Sequence, residues 1–127
     1  MSRSPYGICF IERHDMKEIK AYVHRSRVAD VIAAVKATAA WGSALKARGH
    51  NLAVYMVKGS LLPLADEDRH YSIDLGDEVV NEYKLELLCD DAEVDELVDA
   101  IRTAALTGQA HAGWITVTEL SRAISVP

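Results

Sequence analysis

The order of patterned segments in this chain predicts an α+β fold, a ferredoxin-like β-α-β-β-α-β sandwich with both helices on one face of an antiparallel sheet. Three observations carry that expectation. Met16 to Val23 and Tyr83 to Cys89 alternate apolar and polar side chains, the period of half-buried strands. Two other segments, opening near Ser26 and Asp90, repeat apolar residues at helical spacing. Each of those is followed by a run of strand composition, so strand-helix-strand occurs twice.

Residues 1–15 mix residue types, include Pro5 and Gly7, and lack clean periodicity. They are read as an N-terminal extension ahead of a single domain at 16–127, with order and disorder both open. The run Ile8-Cys9-Phe10-Ile11 within them suits docking on a sheet edge. In the first strand, Ile19, Ala21 and Val23 share one face. Ser26 is the expected N-cap of a helix carrying Val28, Val31, Ile32 and Val35 on one side and running to about Ala40.

Trp41 to His50 follows, and Asn51 to Lys58 reads as the second strand, broken by Gly59. Residues 60–80 hold Pro63, the cluster Asp66-Glu67-Asp68-Arg69 and Gly76, and are expected to form a long mobile loop. A loop of that length in a compact domain is normally functional.

Tyr83, Leu85, Leu87 and Cys89 make the third strand. Asp90 and Glu93 have capping-box spacing before a helix whose apolar face is Val94, Leu97, Val98, Ile101 and Ala105. Thr107-Gly108 ends that helix. Gly113 ends the next loop, and Ile115 to Leu120 is the fourth strand. Tyr22, Tyr55 and Leu88 are candidates for the half-apolar open face of the sheet.

The 127 residues suffice for one domain with its own core. A net charge of −5 and the lack of a basic stripe argue against a sequence-nonspecific grip on nucleic acid. Cys9 and Cys89 lie far apart with no metal-ligand spacing, a usage that suits a reducing cytosol. No apolar run is long enough to span a membrane and no signal-peptide pattern opens the chain, so a cytoplasmic protein is expected.

Catalysis finds no support in the residues. Ser, His and Asp are present without a recognisable nucleophile motif. The five histidines are scattered, without an i,i+4 pair, so metal ligation is not expected. Asp66-Glu67-Asp68 reads better as a solvated loop than as a cation site. The chain is therefore expected not to be an enzyme.

Thr107-Gly108-Gln109-Ala110-His111-Ala112-Gly113-Trp114-Ile115 resembles the T-G-x-x-G-D-G-K-I signature of the PII signal-transduction proteins. The strand Lys84 to Cys89, the Asp90-Asp91 step and the small residues Ala104-Ala105 before the loop fit the same pattern, and the resemblance covers about Met16 to Val126. It implies a homotrimer with an effector site in the cleft between subunits. The candidate site residues are Gly59, Thr107, Gly108, Gln109, Ala110, His111, Ala112, Gly113 and Trp114. Trp41 to His50 looks like an insertion relative to the family and enters the cleft wall by resemblance, which adds Arg48, with Lys46 and His50 beside it.

The departures from the family matter as much. Trp114 replaces the lysine after the loop's last glycine. Two C-terminal arginines of the family fall at Ser125 and Pro127, and an arginine and a glutamine of the long loop fall at Leu62 and Pro63. Charge-assisted phosphate contacts are the strong ones, and proline has no side-chain acceptor for a metal. The resemblance thus implies a divergent member for which AMP or ADP is a better effector than Mg-ATP with 2-oxoglutarate. Residues 60–80 would touch a regulated partner, a membrane transporter or an enzyme of nitrogen or inorganic-carbon metabolism. The family's uridylylated tyrosine falls at His70, beside Tyr71. The alternative is a trimeric scaffold that resembles the copper-tolerance relatives of the same fold and binds no nucleotide.

Overall fold

The computed structural model describes residues 2–3, 7, 9–10, 12–41, 52–59, 68–109 and 113–126. In chain order the strands and helices are β1 (Ser2–Arg3), β2 (Cys9–Phe10), β3 (Glu12–Arg13), β4 (Met16–Val23), α1 (Val28–Lys36), β5 (Ala53–Gly59), β6 (Arg69–Ser72), β7 (Asp77–Asp90), α2 (Val94–Ala104), β8 (Trp114–Glu119) and β9 (Ala123–Ile124). The main sheet has the order β5-β7-β4-β8, all pairs antiparallel, with β6 added to the outer half of β7. That is the ferredoxin-like order, and the α+β sandwich expected from the sequence is the one observed.

The period of two along the strands decides which side is dry. Ile19, Ala21 and Val23 of β4 and Leu85, Leu87 and Cys89 of β7 point to one face, against Val31 and Val35 of α1 and Leu97 and Ile101 of α2. All ten are at most 2 % exposed, so one core serves both helices. Burial pushes the Cys89 thiol up to about 11, with nearby acidic groups adding to the effect; it stays protonated and inert.

The open face carries a row of four residues, one per strand: Trp114, Tyr22, Lys84 and Tyr55 stand opposite one another across β8, β4, β7 and β5. The Lys84 ammonium lies 5.1 Å from the Tyr22 ring centre and 5.6 Å from that of Tyr55. Tyr55 donates its hydroxyl to Glu86 at 2.7 Å. Tyr22 and Tyr55 are thus on the open face as expected.

Several local expectations change, each for a physical reason. Ser26 does not cap α1, because its hydroxyl is engaged by His24 Nδ1 at 2.7 Å; Arg27 is the N-cap and gives no side-chain cap bond. The first helix ends at Lys36 rather than Ala40. There Thr38 donates its hydroxyl to the Val35 carbonyl and accepts the Trp41 N–H, and Glu96 accepts the N–H groups of Ala39 and Ala40.

The Asp90–Glu93 capping box is not formed either. Asp90 pairs with Arg13 at 3.1 Å, and a single 3₁₀ turn, Asp91–Glu93, leads into α2. Gly59 ends β5 from within, as its last paired residue, opposite Val80.

The largest change concerns the expected loop at 60–80. Residues 69–80 form a hairpin on the extended β7, closed by a four-residue turn in which Gly76 adopts a φ of +66°. Gly76 N–H donates to the Ser72 carbonyl at 2.8 Å, and the Ser72 hydroxyl accepts the Leu75 N–H. The pairing of Arg69 to Ser72 with Asp77 to Val80 supplies backbone partners that composition alone does not announce. Residues 60–67, with Leu62 and Pro63, lie outside the described residues.

Ahead of the domain, Cys9–Phe10 pairs with Ser2–Arg3 rather than with the main sheet. Glu12–Arg13 pairs with Ala123–Ile124, so the segment before Met16 holds the end of the chain. Arg122 and Glu12 add an ion pair at 3.4 Å, and His14 Nδ1 lies 3.1 Å from the Ser121 carbonyl.

Candidate functional site

Where β4 ends, β8 begins and α2 stops, a cleft of about 540 Å³ opens. Its floor is Tyr22, Val23 and His24 from β4 and just beyond it; one wall is Ile101, Arg102, Ala105 and Leu106. The rim is Thr107, Gly108 and Gln109, and Gly113, Trp114 and Ile115 close the other side.

The loop has its shape for local reasons. α2 ends because Ala105 closes the last turn with its N–H on the Ile101 carbonyl, and Gly108 then takes a φ of +83°, open to glycine and strained for most other residues. The Thr107 hydroxyl accepts the Gln109 N–H at 3.3 Å, holding the bend. A Cβ on Gly113 would collide with the Tyr22 carbonyl, so only glycine lets β8 start this close to β4.

The electrostatics are mixed. Arg102 and His24 line the cleft, and no carboxylate is found among the described lining residues. α2, however, presents its C-terminal end, whose carbonyl pole is negative. Arg27 offsets part of that by donating Nε–H to the Ala104 carbonyl at 3.0 Å. Among the described residues an anion here would rely on Arg102 and not on a helix N-terminus, which limits how many phosphates the cleft can neutralise.

Of the residues singled out from the sequence, Thr107, Gly108, Gln109, Gly113 and Trp114 come together at this cleft. Arg48, Ala110, His111 and Ala112 lie outside the described residues, as do Lys46 and His50. Gly59 is elsewhere: it ends β5, at the opposite edge of the four-strand path from β8. Within one chain it does not meet the Thr-Gly loop.

Tyr22, His24 and Arg102 were missed. Arg102 sits five positions before Thr107 on α2 and was within reach of a spacing argument. Tyr22 and His24 reach the cleft only through the β4–β8 register, in which Tyr22 faces Trp114. No sequence signal states that register.

No family model matches the chain, and no curated protein matches it in sequence. Among solved structures it is similar to PII of Arabidopsis thaliana bound to citrate, with a TM-score of 0.56 over 84 % of this chain and 78 % of that one, at 20 % identity. The chain has a PII-like fold. At that identity the likeness concerns architecture, and it agrees with the divergence visible at Trp114 and Ser125. Among the described residues, no helix of this PII-like chain is long and apolar enough to cross a membrane.

Proposed function

We propose that the protein is a cytoplasmic, homotrimeric PII-like regulator that binds a small anionic effector, AMP or ADP, and signals through residues 60–80. The observation that carries this reading is the cleft itself. It places a Thr-Gly loop, an exposed indole and Arg102 around a space without described carboxylates. Gly59 at the far sheet edge fits the same reading: two copies meeting edge to edge would bring it to the neighbour's Thr107-Gly108. The PII of similar architecture was solved with citrate, a small anion, which supports an anionic effector here.

The hairpin suits partner contact. Tyr71, Ile73 and Leu75 at its tip are 64 %, 88 % and 57 % exposed, an apolar end on an otherwise charged arm. The partner would be a transporter or an enzyme of nitrogen or inorganic-carbon metabolism.

Calorimetry with AMP, ADP and ATP, with and without Mg²⁺ and 2-oxoglutarate, tests the reading. AMP or ADP should bind at least as well as ATP, and 2-oxoglutarate should add nothing. Tight Mg-ATP binding enhanced by 2-oxoglutarate overturns it, and no binding of any adenine nucleotide favours the scaffold of the same fold.

A further inference from the structure

One step past Val23 and Tyr83, where the pairing of β4 with β7 ends, the same register sets His24 opposite Glu82 on the open face. Glu82 is 3 % exposed, and among the described residues neither of its carboxylate oxygens finds a hydrogen-bond partner. On the same face, His24 Nε2 lies 3.1 Å from Asp68 Oδ2. His24 Nδ1 accepts the Ser26 N–H at 3.1 Å, which leaves the ring proton on Nε2 to donate to Asp68. Arg25 adds a second hold on Asp68 at 3.2 Å. Asp68 immediately precedes β6, so these bonds fasten the root of the hairpin to the end of β4. His24 also lines the cleft, which makes it common to both.

We propose that Glu82, His24 and Asp68 form a proton-operated latch that fastens the root of the 69–80 hairpin beside the effector cleft. The inference rests on the proposed function only for what the hairpin does once released. With Glu82 neutral, the group holds one carboxylate, Asp68, matched by Arg25. Loss of the Glu82 proton to solvent adds a second negative charge to a buried group that already holds Asp68, and like charges in a poorly hydrated site repel.

The groups facing Glu82 are His24 and Arg25 from beyond β4, Asp68 before β6, Val57 opposite it on β5, and Lys84 one pleat along β7. Burial is the chief cause holding the Glu82 proton, raising its pKa to about 7. Asp68 pushes in the same direction, while His24 and Arg25 oppose it. The latch therefore loosens as pH rises through neutrality. A regulator built this way would free its arm in alkaline surroundings.

A nitrogen-15 NMR titration of the full chain, from acid through mildly alkaline pH, tests the latch without effector or partner. Its failure would thus leave the reading of the cleft standing, and failure of nucleotide binding would leave the latch standing. The amides of Ser72 and Gly76 should shift together with a midpoint near neutrality. Glu82→Gln should remove that transition and keep the hairpin at its low-pH position. Asp68→Asn should hold it at the high-pH position throughout, and serves as the independent reading if Glu82→Gln does not fold. Flat hairpin amides in the wild type, or a transition that survives in Glu82→Gln, would overturn the proposal.

Discussion

Gly113 sits directly against the Tyr22 carbonyl, with no room for a Cβ between them. That contact fixes where β8 meets β4, and with it the distance from Trp114 to the floor of the cleft. Gly113→Ala should therefore push β8 outward and cost about 1–3 kcal/mol, the usual penalty for overpacking. Urea unfolding measures the loss. A variant as stable as the wild type would mean that β8 shifts freely.

The Lys84 ammonium between Tyr22 and Tyr55 gives a second, separable test. Each partly exposed cation–π contact contributes about 0.5–1 kcal/mol. Lys84→Met keeps the apolar stem and removes the charge, so it should destabilise by about 1–2 kcal/mol. Tyr55→Leu should cost less than that, and after it the Lys84 substitution should cost less again. Strict additivity in a double-mutant cycle would show that ring and ammonium do not interact.

Glu82 gives stability a pH dependence of definite sign. Its folded pKa, raised from 4.5 to about 7, lies above the unfolded value, so the folded state binds the proton more tightly. No penalty exists below about pH 4.5; it grows through the window and is complete above about pH 7. At about 1.4 kcal/mol per pH unit the full penalty is of order 3 kcal/mol. Glu82→Gln, neutral throughout, should therefore gain on the wild type between about pH 5 and 8 in urea midpoints. A difference independent of pH would contradict the assignment.

The proposed three-fold assembly makes its own prediction. The open-face row, with Trp114 62 % and Tyr55 40 % exposed, and Gly59 standing across the sheet from the Thr-Gly loop fit a three-fold assembly. Light scattering should report three times the chain mass at micromolar concentration. A monodisperse monomer would leave the row open to water and remove the second wall of the proposed site.

The fold was legible because its signals are local. Alternation marked Met16 to Val23 to the residue, and helical spacing chose Leu97 and Ile101, both fully buried. The failures came where a side chain had a choice of partner. Ser26 and Asp90 have the right identity for caps, but His24, two residues away, takes the Ser26 hydroxyl, and Arg13, far away in sequence, takes the Asp90 carboxylate. The hairpin at 69–80 was hidden for a related reason: its charged and turn-forming residues pair through the backbone, which leaves little compositional trace. The site divides similarly, with Thr107 to Gln109 and Gly113-Trp114 visible as a motif, and His24 and Tyr22 brought in by register alone.

The central claim is that this cleft holds the effector, and Trp114 reports on it directly. The other tryptophan, Trp41, is buried in the core at 6 % exposure, whereas the Trp114 indole lies open at the cleft mouth. Titrating ADP while following tryptophan emission should give a saturable change in the wild type that disappears in Trp114→Phe. Unchanged emission up to millimolar ADP, or a change that persists in Trp114→Phe, would contradict the account.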